Sequence, residues 1–337
     1  MLGGEFEIDL NTKRNGFAPM HSTYYYASGR AALYQILKSL RGKQTKVWFP
    51  DYLCHTMVEA AVKAGFDYEF YELDDNFLTT VESLDQKGFV DGGLVLLINY
   101  FGLQDLSKTA KSIKESYPCA ILIEDDVQAY FSYIEGCNPY VDYRFTSLRK
   151  TLPVPDGGLV HTKAKLNIAT QCNTFASYKI DAGVMKMNRN NGRIKDEDYL
   201  ALFEKGSELI DENYDSAMSP ESEMLYAGVD VVSVKQRRRE NAACILNGLK
   251  ELGIKPLIEV PESVTPLHIP IYLENRNEVR RRMFQHEVFC PIHWPLNGLP
   301  LKKGVKMSEH ELSLIIDQRY GTEELNMMIE IIKTYIS

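Results

Sequence analysis

Apolar segments alternate with amphipathic ones through the first half of the chain. Apolar residues recur at helical spacing after Ser28 until Gly42, and Ser28 fits the N-cap of that helix. The same spacing predicts helices over 57–65 and 106–118, and apolar runs predict strands over 46–50, 67–73, 94–99, 120–124 and 143–147. Strands that are apolar throughout and alternate with helices indicate an α/β fold, with a mostly parallel sheet sandwiched by helices.

The pattern changes in the C-terminal third. A long helix is predicted over about 226–252, followed by strands over 266–273, 288–294 and 312–317 and by helices over 276–286 and 322–336. This order indicates a smaller C-terminal α+β domain. We therefore expect a large α/β domain over 1–225 and a small domain over 226–337, with the N-terminal arm, 1–25, as a candidate to join the small domain.

Charge and composition exclude several classes of protein. The formal net charge is −8, and the arginine runs at 237–239 and 280–282 are interpreted as solvated helix faces. No apolar run reaches the roughly 18 residues of a membrane helix, and no signal peptide is recognised. The six cysteines are widely spaced, without a disulfide or zinc pattern. We expect a cytoplasmic protein with no metal, no nucleic-acid partner and no membrane partner.

Polar side chains follow the predicted strands at the points where the strands end. Because ligands bind beyond the carboxyl ends of parallel strands, these residues should converge on one crevice. They are Asp51, Tyr52, Asn99, Tyr100, Asp125, Gln128, Ser147 and Lys150.

Two of these residues and one helix start could each have a structural explanation or a chemical one. Asp125 lies in an acidic run that also suits a helix N-terminus, and Lys150 could be a surface lysine. The turn at Ser28, Gly29 and Arg30 could be a plain helix start or an anion site. Together, a lysine for an aldehyde, a helix start for a phosphate and a carboxylate for a pyridinium nitrogen match pyridoxal 5'-phosphate (PLP).

An ordered set of motifs makes this match more specific. The motifs are SGRAAL, FPDYLCHTMVEAAVKAG, LINYFG, IEDDVQAYFS and SLRKTLPVPDGG. They resemble the fold-type I PLP enzymes and, among these, the DegT–StrS family of nucleotide-sugar aminotransferases. The resemblance covers roughly residues 25–165. Its most specific part is the EDxxQA core, followed about 25 residues later by a lysine with a glycine pair after it.

The resemblance implies a role for each matching position. Lys150 would form the internal aldimine, Asp125 would keep the pyridine nitrogen protonated, and Gln128 would lie against the ring or its 3-oxygen. The phosphate would be bound by Gly29, Arg30 and Ser147. Further cofactor contacts would come from Ser28, Tyr52, Cys54 and Asn99.

Four positions depart from the family pattern, and one of them is Asp126, which replaces a small residue. Cys54 stands where an aromatic residue often stacks on the ring, and Asn99 stands where a histidine is frequent. Phe145 replaces a phosphate-binding serine, so that role would pass to Ser147 or Thr146.

The implied activity is transfer of an amino group from an amino acid, with glutamate as the expected donor, to a nucleotide-linked keto-sugar. A homodimer with shared active sites is expected, in which the segment 186–222 crosses over. Candidate substrate contacts are His293, Trp294, Arg319 and Tyr320. The alternatives are a PLP lyase acting on another small amine, a catalytically altered PLP-fold protein and a nicotinamide-binding enzyme. The last is disfavoured because this sequence has no GxGxxG motif after the first strand.

Overall fold

The computed structural model describes residues 1–10, 24–189 and 194–336. The strands are β1 (Leu2–Gly3), β2 (Tyr24–Tyr26), β3 (Lys46–Pro50), β4 (Asp67–Tyr71), β5 (Leu94–Ile98), β6 (Ile121–Asp125), β7 (Tyr143–Ser147), β8 (Gly158–Thr162), β9 (Gln171–Cys172), β10 (Ser216–Ala217), β11 (His268–Tyr272), β12 (Val288–Phe289) and β13 (Glu311–Ile315).

The helices lie between and after these strands. They are α1 (Gly29–Leu40), α2 (His55–Lys63), α3 (Val81–Gln86), α4 (Ser107–Ser116), α5 (Tyr130–Glu135), α6 (Ala176–Met187), α7 (Asp196–Glu208), α8 (Pro220–Gly228), α9 (Val231–Glu251), α10 (Arg276–Gln285), α11 (Lys302–His310) and α12 (Thr322–Tyr335). Within the described residues, no helix combines the length and apolarity that crossing a membrane requires.

A seven-stranded mixed sheet forms the centre of the fold. Its strand order is β2-β8-β7-β6-β5-β3-β4, and every neighbouring pair is parallel except those that involve β8. All five residues of β5 are buried, as expected for a strand covered on both faces. The predicted mostly parallel sheet flanked by helices is therefore confirmed. Because β3, β5, β6 and β7 run in one direction, their carboxyl ends lie at one edge.

The C-terminal part of the chain has its own hydrophobic core. Antiparallel β11 and β13 pack with α9, α10 and α12 around side chains that include Ile245, Leu312 and Met328. The N-terminal β1 pairs with β12, so the first residues of the chain lie against this part. The predicted domain boundary at 225/226 falls inside α8 and stays a prediction. The predicted arm, 1–25, is described only to residue 10 and from residue 24.

The strand predicted over 288–294 is wrong in its length. Only Val288 and Phe289 form a ladder, with β1. Beyond them the chain runs beside β13 and is held there by separate contacts: the Ser313 N–H donates to the Pro291 carbonyl, and the His293 N–H donates to the Glu311 carboxylate. Because the His293 N–H bonds to a side chain rather than to a backbone carbonyl, the segment does not form a regular ladder with β13. The helix α11, which follows, was not predicted.

The arginine run at 237–239 is not wholly a solvated face. Arg238 is 1% exposed, and its guanidinium donates to the Gln318 side chain at 2.9 Å and to the Leu267 carbonyl at 3.1 Å. Hydrogen bonds of this kind make a buried cation tolerable. The prediction was wrong at Arg238 because its partners lie about 30 and 80 residues away along the chain.

Candidate active site

One pocket at the carboxyl edge of the sheet collects most of the predicted site residues. It lies beyond the ends of β6 and β7, beside the start of α1, and Trp294 of the C-terminal part also lines it. The predicted residues that line it are Ser28, Gly29, Arg30, Cys54, Asp125, Gln128, Ser147, Lys150 and Trp294. Residues from five separate stretches of the sequence therefore meet in one concave surface.

The segment 148–157, which carries Lys150 between β7 and β8 and is here called the lysine loop, packs against the turn that begins α1. The Leu148 N–H donates to the Gly157 carbonyl at 3.0 Å, and the Gly157 N–H donates to the Ala27 carbonyl at 2.9 Å. Gly157 has a φ of +120°, which favours glycine. A Cβ on Gly158 would lie 2.0 Å from the Ser28 carbonyl oxygen. The glycine pair thus allows the loop that carries Lys150 to approach the helix start.

Replacing Gly158 with alanine should therefore destabilise the protein. The added methyl group would meet backbone rather than a flexible side chain, and relief requires moving the turn at Ser28. We expect a loss of about 3 kcal/mol in the free energy of unfolding, measured by urea denaturation. The control is Gly321→Ala, where the nearest atom would be the Glu324 carboxylate at 3.6 Å. Equal stability of the two variants would contradict the prediction.

Lys150 provides an amine with few partners. Within the described residues it has no hydrogen bond or ion pair, and the residue is exposed to solvent at the pocket. Partial desolvation of the amine lowers its pKa, the Arg149 and Arg30 charges act in the same direction, and the Cys54 and Glu5 side chains oppose them. A lysine whose pKa is lowered can act as a nucleophile or as a base near neutral pH.

Asp125 lies at the carboxyl end of β6, within the same pocket. Its Oδ1 accepts the Val127 N–H at 2.7 Å. Burial raises the pKa of this carboxyl to about 7, although the Val127 N–H and the Lys150 charge both lower it. In the part of the chain that the structure describes, this carboxyl has no ion-pair partner, so a protonated ring nitrogen would complement it.

Arg144 pairs with both of the other carboxyl groups of the acidic run, and burial together with the Glu124 charge raises the pKa of Asp126. The Arg144 Nε lies 3.0 Å from Glu124 Oε1, and its second terminal nitrogen lies 2.6 Å from Asp126 Oδ2. Asn99 donates to the other Asp126 oxygen at 3.3 Å. The cation that the three adjacent carboxylates require is thus Arg144, and it leaves Asp125 free to face the pocket.

Replacing Arg144 with glutamine should destabilise the protein strongly. Glu124 and Asp126 are both buried, and the substitution would leave two carboxylates side by side without a cation. We expect a loss of about 3–5 kcal/mol in the free energy of unfolding at pH 7. The control is Arg281→Gln, which removes an exposed pair with Glu278 and should cost less than about 1 kcal/mol. If Arg144→Gln lowered the free energy of unfolding as little as the control does, Arg144 would not be the cation that stabilises the acidic run.

Gln128 and Gly29 leave room for a bound group. The Gln128 Oε1 accepts the Phe101 N–H at 3.0 Å, while its Nε2 is buried and has no hydrogen-bond partner among the residues that the structure describes. Buried polar atoms of this kind usually have a partner, so an acceptor is missing here. A Cβ on Gly29 would lie 3.0 Å from Val127 and 3.2 Å from Ser147, so the glycine keeps this part of the pocket open.

Ser28, Gly29, Arg30 and Ser147 line the end of the pocket that lies at the start of α1. Ser28 caps α1 through its side-chain oxygen, which accepts the Ala31 N–H at 3.1 Å. The first-turn N–H groups of a helix favour an anion. These residues and the unpartnered Gln128 amide fit a phosphorylated ring cofactor.

Seven predicted site residues do not line the pocket. The Asp51 carboxylate accepts the Leu73 and Lys303 N–H groups, and the Tyr100 hydroxyl donates to the Tyr52 carbonyl. Asn99 belongs to the Asp126 contacts, and Tyr52 is buried with its hydroxyl donated to the His293 carbonyl at 2.6 Å. The His293 ring bonds to the Ser313 hydroxyl. Arg319 pairs with Asp317 and donates to the Gly4 and Glu5 carbonyls, while the Tyr320 hydroxyl accepts the Gly3 N–H.

Several lining residues were missed from the sequence as site candidates. Phe145 and Ile210 are buried in the pocket wall, and Arg149 lies beside Lys150. Ile210 follows α7 and has no sequence signal, because an apolar residue in a helical segment predicts only a core position. Arg149 could have been predicted as a pocket residue from the sequence, because it directly precedes the lysine in the most specific motif.

Comparison with solved structures defines the class of fold. The chain is similar to a DegT DnrJ EryC1 StrS aminotransferase from Brucella abortus, with 16% identity and a TM-score of 0.64 over 93% of this chain and 86% of that chain. It is similar to a sugar aminotransferase from Micromonospora echinospora, with 12% identity and a TM-score of 0.64 over 93% and 87%. These likenesses confirm the fold that the sequence resemblance implied.

A third structure extends the comparison to a cofactor-bound form. NtdA from Bacillus subtilis, with bound cofactor PMP, is 15% identical with a TM-score of 0.62 over 92% of this chain and 74% of that chain. No protein-family model matches the chain, and no curated protein sequence matches it.

Proposed function

We propose that the protein is a PLP-dependent aminotransferase that moves an amino group from an amino acid to a keto-sugar. The observation that carries the proposal is the meeting of Lys150 and Asp125 in one pocket, with a helix start beside them. The two side chains come from different strand ends and have the chemistry that the two ends of the PLP ring require. The similarity to aminotransferases, one of them with bound PMP, supports the same assignment.

Each part of the cofactor has a candidate partner in the pocket. Lys150 would hold the aldehyde carbon, and Asp125 would face the ring nitrogen. The phosphate would lie at Ser28, Gly29, Arg30 and Ser147, and the unpartnered Gln128 amide would donate to a ring oxygen. Cys54 and Trp294, which also line the pocket, are candidates for contact with the ring or the substrate.

The chain's own residues would then perform the proton chemistry. The cofactor supplies an aldehyde that accepts an amine and a ring that takes up electrons from the bond that breaks. Lys150 Nζ, whose pKa is lowered by partial desolvation, would take the proton from the α-carbon of the donor. Asp125 would keep the ring nitrogen protonated, because a carboxylate in a buried site strongly favours a neighbouring cation.

The finer assignments follow the family pattern. Glutamate is the proposed donor, and a keto-sugar on a nucleotide carrier is the proposed acceptor. A homodimer with shared sites is proposed, in which the segment 186–222 reaches the partner's pocket. Residues 190–193 of that segment lie outside the described residues.

The proposal is tested by loading the purified full chain with PLP and following its absorbance. We expect a yellow band that borohydride abolishes while fixing the cofactor on Lys150, located by peptide mass. Adding an amino donor should convert the cofactor to its amine form, and adding a keto-sugar should restore the band. Binding without conversion by any donor in a panel of amino acids would contradict the aminotransferase assignment.

A further inference from the structure

The N-terminal residues 3–8, here called the strap, lie between the C-terminal part on one side and α6 and Arg149 on the other. On one side, Arg319 donates to the Gly4 and Glu5 carbonyls at 3.1 Å. On the other side, Lys186 donates to the Glu5 carbonyl at 2.6 Å, and the Ile8 N–H donates to Gly183. These anchors use the strap's backbone, so they do not depend on the Glu5 carboxylate.

The Glu5 carboxylate lies among cations beside the candidate active site. Its Oε1 is 3.0 Å from Lys179 Nζ and 3.6 Å from the Arg149 guanidinium. Burial raises the pKa of Glu5, but the charges of Arg149 and Lys179 outweigh it, and the net direction is downward. The carboxylate is therefore ionised at neutral pH. About a third of its side chain stays exposed, so it can leave its position without unfolding the strap.

Arg149 is poorly bonded for a largely buried arginine. Its side chain is 20% exposed, its Nε is buried without a hydrogen bond, and its single ion pair in the described part of the chain is the 3.6 Å contact with Glu5. Arg144, by contrast, has two carboxylates and two carbonyls as partners. A guanidinium has five N–H donors in a planar fork, so Arg149 has capacity for a further acceptor.

Arg149 forms the wall between two cavities. It lines the pocket that contains Lys150 and Asp125, and it lines a smaller cavity next to Glu5, Phe6 and Lys179. A small movement of the guanidinium could therefore exchange an acceptor on the strap side for one on the pocket side. The cation also directly precedes Lys150 in the chain.

We propose that Arg149 binds the carboxylate of the amino-acid substrate and that Glu5 is its internal substitute, which the incoming carboxylate displaces. This inference rests on the proposed function for the identity of the substrate. A carboxylate fits the planar guanidinium fork in a bidentate manner. In an α-amino acid the carboxylate is one bond from the carbon whose proton Lys150 would take, so its partner must lie close to Lys150. The cofactor phosphate has its own donors at the start of α1.

The test measures ligand binding to the cofactor-free full chain by titration calorimetry, with glutarate and inorganic phosphate as probes. Glu5→Gln keeps the strap's backbone contacts and removes the competing charge, so glutarate should bind about threefold to fivefold more tightly. Arg149→Gln should weaken glutarate binding by about 10- to 100-fold, and Arg149→Lys should give an intermediate loss because the fork is missing. Phosphate binding should change in none of the variants.

Matched controls come from the same strap. Glu7 pairs with Arg189 at 2.7 Å, and neither residue lines the candidate active site, so Glu7→Gln and Arg189→Gln should leave glutarate affinity unchanged. Glutarate affinity that is unchanged or lower in Glu5→Gln would overturn the proposal, as would unchanged affinity in Arg149→Gln. If Arg149→Gln does not fold, the direction of the Glu5→Gln effect decides. Parallel shifts for phosphate would overturn the assignment to a carboxylate.

Failure of the Arg149 carboxylate site and failure of the proposed aminotransferase function give different experimental results. A protein that binds PLP but shows no shift in glutarate affinity loses only the Arg149 site. A protein that shows the expected shifts but binds no PLP keeps the carboxylate site and loses the aminotransferase assignment.

Discussion

Lys150→Ala is expected to lower the rate of amino-group transfer by about 10⁴-fold or more, because in the proposed function one residue would supply both the amine that holds the cofactor and the base that moves the proton. The variant should still bind PLP, since the proposed phosphate donors at the start of α1 and the Asp125 carboxylate remain. Its yellow band should be shifted or lost, and borohydride should no longer fix the cofactor at this position. Stopped-flow absorbance with a saturating amino donor measures the rate.

The control for this variant is Lys165→Ala. Lys165 is an exposed lysine beyond β8 and does not line the pocket, so its removal should change neither the band nor the rate. Near-normal transfer by Lys150→Ala would contradict the central assignment. A variant that binds no PLP would show that Lys150 contributes to affinity more than the remaining contacts do.

Asp125→Asn is expected to lower the rate by about 10²- to 10³-fold, the size of effect that follows when one preorganised polar group is removed from a buried site. The amide keeps the shape of the side chain, and its oxygen can still accept the Val127 N–H. What it loses is the negative charge that would hold a proton on the ring nitrogen. The control is Asp142→Asn, which removes a carboxylate paired with Lys114 away from the pocket.

The same variant should have the opposite effect on the stability of the cofactor-free protein. Burial raises the pKa of Asp125 to about 7 from 3.8, so between these values the folded state retains a proton that the unfolded state has released. The proton retained on Asp125 therefore stabilises the folded state fully below pH 4, and this stabilisation is lost as the pH rises to about 7. The free energy of unfolding falls by no more than about 1.4 kcal/mol per pH unit in this range. Asparagine removes the effect.

Thermal melts from pH 4 to pH 8 test this linkage. Cofactor-free Asp125→Asn should melt above the parent protein at pH 8, and the difference should narrow toward pH 4. A constant difference across this range would show that Asp125 keeps its ordinary pKa in the folded protein. A lower transfer rate and a higher melting temperature of Asp125→Asn would together show that Asp125 serves the reaction and lowers the stability of the cofactor-free protein.

The sequence determined the central sheet and the position of the site within it. Fully apolar runs such as residues 94–98 can be strands only where helices cover both faces, and this fixes a mostly parallel sheet. Parallel strands end at one edge, so polar residues at those ends were bound to converge. Lys150, Asp125 and Gln128 meet there because each follows or ends such a strand.

Only the tertiary structure decided which polar residues face the pocket and which support it. Asn99 follows a strand just as Gln128 does, yet it bonds to Asp126, because Arg144 gathers the acidic run on that side of the sheet. Arg319 and Tyr320 hold the strap, whose residues lie more than 300 positions earlier in the chain. The sequence pattern reports local periodicity and burial, whereas these roles depend on contacts between distant segments, and those contacts exist only after the chain has folded.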